Sequence, residues 1–400
     1  MAEVTMPFFP DFPPPLNEAL LLGVLLVIGG VLGAAAQRFR MPAVFGYVLA
    51  GFAVGPLALD LRVRPLLEEA RVIVDIAVGL VLFELGRRLD LQWLRRDPSL
   101  WIASLAESAL CFGGVSAALI AFGFPPIQAA VAAAIGIATS PAVVWLVTSD
   151  AHAQGQVTDR CLNLVAVNTL LAFLLTTMLV AMVHLEYRAG WLTVVLHPLY
   201  LLLGSLAIGV ATGFALPYAA SALTRRADVH FVLIVAAVLI AVGLATALQL
   251  SVFLALLSAG ATVRNVPRRF ALMEFDLGGG ARVLYILLFV ITGAQAAWPV
   301  LQTAGWAAVI YVLARAAGKW LGVMASAPLS PLPWRQTACL GLTLMPMSGM
   351  ALLLMHDIAM RYPQFGQELA SVLLAAIVVF ELAGPLALHW ALRLSGDVKP

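Results

Sequence analysis

Apolar residues gather in this chain into long blocks separated by short polar stretches, with neither the stripe of an amphipathic helix nor the alternation of a half-buried strand. Thirteen blocks approach the roughly 20 residues that carry a helix across a bilayer. They run over 16–36, 43–59, 66–86, 98–122, 125–149, 158–183, 195–222, 229–248, 250–264, 279–297, 300–325, 333–358 and 368–393, the ninth being short for a full span. Hydrocarbon offers no partner to a backbone N–H or C=O, so each block is predicted to be a helix and the chain an all-α membrane protein.

Two blocks carry polar residues where lipid would lie. In the fifth, Thr139, Ser140 and Pro141 interrupt an otherwise apolar run. Pro141 has no N–H to give the Ile137 carbonyl, so this helix is either kinked or broken, with the orphan facing protein or a wet cavity. The sixth block puts Asn168 and Thr169 at a comparable depth. The pattern then recurs. Gly136 and Pro141 are matched by Gly341 and Pro346 in the twelfth block, within LGLTLMPMSGMALLLM, where Pro346, Ser348 and Gly349 mark the break. As the sixth block follows the fifth, so the thirteenth follows the twelfth, with Glu381 near its middle. An offset of seven is odd, so two five-span units, about 43–183 and 250–393, lie upside down relative to each other. Spans five and twelve are expected to break and to cross.

Composition narrows the class without naming a chemistry. With 62% hydrophobic and 11% charged residues and a mean hydropathy of +0.99, this is no ordinary soluble domain. The net charge of +2 is spread over short loops and forms no nucleic-acid patch. Cys111, Cys161 and Cys339 show no ligand-like spacing, so neither a disulfide framework nor a zinc site is expected, and no cofactor is implied. No HExxH, no GxSxG and no pair of facing aspartates suggests an intramembrane enzyme. Arg and Lys favour one set of loops by about three to one, which places the N-terminus outside and the C-terminus in the cytoplasm. Residues 1–15 then form an extracytoplasmic tail, 16–393 the transmembrane domain and 394–400 a cytoplasmic tail.

Charges inside the spans are costly and mark candidate sites. They are Asp75 and Glu84 in span three, Glu107 in span four, Arg315 and Lys319 in span eleven, and Glu381 in span thirteen. Arg315 and Lys319 share a helix face, so carboxylates, carbonyls or water must meet them. Glu84 can pair with Arg88 and Asp75 with Arg71, each a turn away. Glu107 and Glu381 have no such neighbour, so each needs a tertiary partner or must be protonated. The six histidines lie mostly in loops or at span ends and receive no role.

A family likeness rests on RFRMPAVFGYVLAGFAVGP at 38–56, GLVLFELGRRLDL at 79–91, ATSPAVV at 138–144, LFVITGA at 288–294, GKWLG at 318–322 and VLLAAIVVFELAGPLA at 372–387. In this order they resemble the monovalent cation:proton antiporter-2 family, which includes sodium/proton exchangers and glutathione-gated potassium efflux systems. The resemblance implies a homodimer in the membrane, in bacteria the inner one, each subunit pairing a dimerisation domain with a core domain that moves as an elevator past it. It also implies a monovalent cation (Na+ or K+) and protons as substrates, membrane lipid as surroundings, and no regulatory nucleotide-binding domain within this chain. By the same likeness Thr139, Ser140 and Pro141 match the first crossing helix, and Lys319 the embedded lysine. Span six departs. Where the family has a polar or acidic residue followed by an aspartate, this chain has Asn168 and Thr169. Neither titrates, so two expectations stand: an exchanger whose carboxylate has moved to Glu107, Glu381 or Asp75, with Glu107 ranked ahead of the other two, or an antiporter-fold protein that has lost proton coupling and serves as a leak, a facilitator for another solute or a regulatory subunit.

Overall fold

A computed structural model describes residues 18–55, 71–89, 93, 96–186, 191–222, 227–266, 278–294, 298–347, 349–361 and 363–398. Among them every ordered element is a helix: α1 (Glu18–Arg38), α2 (Ala43–Val54), α3 (Arg71–Arg88), α4 (Pro98–Ala121), α5 (Pro126–Ile137), α6 (Pro141–Asp150), α7 (Gln156–Glu186), α8 (Trp191–Ala222), α9 (Ala227–Ala247), α10 (Val252–Asn265), α11 (Gly278–Ala294), α12 (Trp298–Ala325), α13 (Trp334–Thr343), α14 (Gly349–Arg361) and α15 (Pro363–Ser395), with a 3-10 turn at Ala327–Leu329. Among the described residues eight segments, with α5 and α6 taken together, are long and apolar enough to cross a membrane, and shorter apolar helices lie at Ala43–Val54, Val252–Asn265 and Arg282–Ala294. One departure is local. Gly305 takes φ 51° and turns the chain inside α12, a left-handed conformation open to glycine because it lacks a Cβ.

The predicted breaks fall at the prolines. α5 stops at Ile137 and α6 starts at Pro141, a favoured first helical position because the missing N–H would have no helical partner there. Ser140 caps α6, its hydroxyl accepting from the Val143 N–H at 3.4 Å. α13 stops at Thr343 and α14 starts at Gly349; Ser348 lies outside the described residues.

Around this crossing the helices pack in two matching contacts. Added Cβ atoms at Gly51 and Gly260 would fall 2.0 Å from the carbonyls of Val290 and Phe83, and at Gly293 and Gly86 within 2.4 and 2.3 Å of those of Val48 and Leu257. Thus α2 meets α11 as α10 meets α3, backbone against backbone, which small residues permit. A cavity lined by Val81, Leu82, Phe253, Phe289, Ser140 and Met350, among others, separates α3, α10 and α11 from the starts of α6 and α14.

Candidate ion-exchange site at the helix crossing

The two breaks touch. The Ser140 N–H donates to the Pro346 carbonyl at 2.9 Å, and the Thr139 hydroxyl to the Leu344 carbonyl at 3.2 Å. The first break therefore supplies donors and the second accepts on its backbone. The carbonyls left at the ends of α5 and α13 carry partial negative charge and need donors of their own. Arg315 on α12 provides them: Nε donates to Gly136 O, Nη2 to Ala138 O and Nη1 to Met345 O, each at 2.8 Å. Its side chain is fully buried, and its guanidinium stacks 4.3 Å from the Phe380 ring centroid. A planar fork of fixed donors suits this task better than an ammonium.

Two turns below Tyr311 and one below Arg315, on the same face of α12, Lys319 meets Glu107 of α4. Nζ lies 2.9 Å from Oε2 and both side chains are wholly buried. The helices come this close because Gly322 packs on Glu107, where a Cβ would sit 2.2 Å from its Cα. The second carboxylate oxygen, Oε1, accepts from Asn168 Nδ2 at 2.9 Å. That donor requirement orients the amide, whose Nδ2 also reaches Thr139 Oγ1 at 3.0 Å. A single directed chain results, Lys319 to Glu107, and Asn168 to both Glu107 and Thr139, with Thr139 ending on the Leu344 carbonyl. The Thr169 hydroxyl donates to the Thr139 carbonyl at 3.4 Å. Asn168 Oδ1 is buried with no partner among the described residues, so one neutral oxygen beside the carboxylate is available to a ligand.

Most of the expected residues thus converge. Thr139, Ser140, Pro141, Pro346, Asn168, Thr169, Glu107, Arg315 and Lys319 surround one point, and Gly349 begins α14 beside it. Glu381 on α15 is also buried, at 2% exposure, but belongs to no part of this network. The Asp75 side chain lies outside the described residues. Glu84 pairs with Arg87 at 2.6 Å, not with Arg88, whose guanidinium instead covers the Trp145 ring at 4.9 Å; a three-residue step brings the shorter-reaching pair together on the α3 surface. Tyr311, whose hydroxyl donates to the Ala132 carbonyl at 3.1 Å, was not singled out by the sequence, although its spacing from Arg315 and Lys319 puts it on their face. Nor was a tie at the helix ends, where Arg160 of α7 binds Asp97, the cap of α4, and Ser99.

Residues 23–394 match the model of the transmembrane sodium/hydrogen exchanger. The chain belongs to the sodium/hydrogen exchanger family, whose members exchange a monovalent cation for protons. No curated sequence matches it at a significant level. Two solved structures of the sodium proton antiporter MjNhaP1 from Methanocaldococcus jannaschii share the fold at 15% identity. One, at pH 8, aligns with a TM-score of 0.70 and the other, an electron-microscopy structure, with 0.76, each over 95% of this chain and 98% of that one.

Proposed function

We propose that this exchanger family member moves Na+ or K+ against protons with Glu107 in the place of the missing span-six aspartate. The carrying observation is the buried Lys319–Glu107 pair, whose second oxygen is held by the very Asn168 that precedes Thr169. A buried pair is weak evidence for stability, since desolvation offsets much of its attraction. As an exchange device it has a clear logic. A cation arriving at the Glu107 carboxylate and the free Asn168 oxygen displaces the Lys319 ammonium; the amine, left buried without its counter-charge, gives its proton to the open side. One positive charge enters as one leaves, and the reverse step returns the proton.

Alternating access by an elevator movement of the crossing helices past α2, α3, α10 and α11 fits the cavity between them, and the matching α2–α11 and α10–α3 contacts support the inverted units at about 43–183 and 250–393. A homodimer in the bacterial inner membrane, N-terminus outside and C-terminus inside, completes the reading. The test is cation-driven proton flux in proteoliposomes. Glu107→Gln should reduce flux at least a hundredfold, the scale of a lost positioned acid–base group. Flux in the parent that survives Glu107→Gln would overturn the assignment. A silent parent that gains flux as Thr169→Asp would favour the uncoupled alternative.

A further inference from the structure

α15 carries a polar line that the crossing does not use. Glu381, Pro385 and His389 are four residues apart in turn, so they lie along one ridge of the helix, over about 12 Å from first to last. Glu381 is 2% exposed and its Oε1 has no partner among the described residues. Pro385, within the helix, has no N–H for the Glu381 carbonyl, so two oxygens of one residue lack their usual donors at the same place. Next to them Gly384 packs on the second break, where a Cβ would fall 2.6 Å from the Pro346 Cα. At the far end His389 is 8% exposed and lies beside the Arg40 backbone in the loop between α1 and α2, while its Nε2 is buried with no partner among the described residues. With the proton on Nδ1, nearer the loop, Nε2 would be the lone-pair nitrogen.

We propose that Glu381 is a second proton-binding site, joined to the Arg40 loop by a relay through His389. The carboxyl gives up its proton and is left as a carboxylate; water at the Pro385 step passes that proton to Nε2 of His389, which releases another from Nδ1 at the loop and stays neutral, and the reverse transfer reloads Glu381. Charge and protons balance at each transfer. Among the described residues no nearby cation holds Glu381 as an ion pair. On the helices packed around α15, Arg315 is committed to carbonyls and Lys319 to Glu107, while Arg335, Asp150, Asp159 and Arg160 sit at helix ends. The side chains of His356 and Asp357 in α14 lie outside the described residues. Facing His389 are Arg40 and, one turn on, Arg393. An unpaired buried carboxyl of this kind is expensive to keep and is retained where it does work. Its part in transport rests on the exchange reading above, but its proton does not.

The experiment is infrared spectroscopy of the protonated carboxyl band in the full chain in lipid, with dicyclohexylcarbodiimide labelling located by peptide mass spectrometry. The parent should be labelled at Glu381, the band should vanish in Glu381→Gln and persist in Glu107→Gln, and His389→Gln should slow its proton–deuteron exchange on the order of tenfold or more, the contribution of a positioned shuttle group. Labelling elsewhere with none at Glu381, or exchange unchanged in His389→Gln, would overturn the proposal. The parent's labelling decides whether Glu381 holds a proton even if Glu381→Gln does not fold. A parent without cation-driven flux would defeat the exchange reading while leaving these signals to stand or fall alone.

Discussion

The two broken helices occupy equivalent places, and both offer carbonyls to Arg315, but only the first adds side-chain chemistry. At the first break side chains act beside the backbone: the Thr139 hydroxyl donates to Leu344 and accepts from Asn168, and the Ser140 hydroxyl caps α6, while the Gly136 and Ala138 carbonyls accept from Arg315. At the second the backbone acts, Leu344, Met345 and Pro346 presenting carbonyls while the Leu344 and Met345 side chains pack into apolar surroundings. The shared geometry comes from proline placement, but chemistry is concentrated on one side. A repeated backbone can therefore support an asymmetric site, and the sensitivity of the two breaks to substitution should differ accordingly.

The largest effect should come from the residue that serves both. Arg315→Met strands the carbonyls of Gly136, Ala138 and Met345 in a dry interior, and should cost about 3 to 5 kcal/mol. Arg315→Lys should recover only part, because a point charge cannot reach three diverging acceptors. Unfolding in detergent measures both, and a fully stable Arg315→Met would show that the clamp is dispensable. A smaller effect separates the breaks. Thr139→Val removes a buried donor and the acceptor of Asn168, a loss of about 1 to 3 kcal/mol, whereas Met345→Leu keeps the working carbonyl and should cost less than about 1.5 kcal/mol. Equal losses would contradict the division between side-chain and backbone chemistry.

The smallest effect lies at the ends of α4 and α7, the helices that bring Glu107 and Asn168 to the first break. Burial works against the Asp97 carboxylate there, but the Ser99 and Arg160 donors outweigh it and hold the group below the usual carboxylate range. A carboxyl shifted down stabilises the fold above its unfolded value, near pH 3.9, and that contribution is lost as pH falls through the folded value. Asp97→Asn should thus lower stability by under about 1 kcal/mol at neutral pH, and the gap from the parent should close on acidification below about pH 5. A gap independent of pH would assign the loss to geometry instead of charge.

What could be read in advance follows the range of each interaction. Pro141 and Pro346 announce their breaks because proline acts on its own helix, and the need of Arg315 and Lys319 for partners follows from their depth. The match of Lys319 with Glu107 spans 212 positions; repeat pairing could rank Glu107 first but could not supply the contact. That Arg315 would satisfy carbonyls and leave the carboxylate to Lys319 depends on a few ångströms of axial position along α12. Arg160 gives no signal in the sequence because its partner, Asp97, caps another helix 63 positions away, and His389 receives no role because its neighbour is backbone, which every sequence has everywhere.

The Arg315 clamp also has a consequence for how the protein is made. Its acceptors at Gly136 and Ala138 lie 179 and 177 residues upstream, and chains emerge N-terminus first at roughly 5–20 residues per second. For some seconds of synthesis the first broken helix exists without the residue that completes it. Its open carbonyls must meanwhile remain in contact with water or the insertion machinery, since lipid cannot satisfy them. Membrane insertion of the early half is therefore provisional, and the arrival of α12 is the event that seals it.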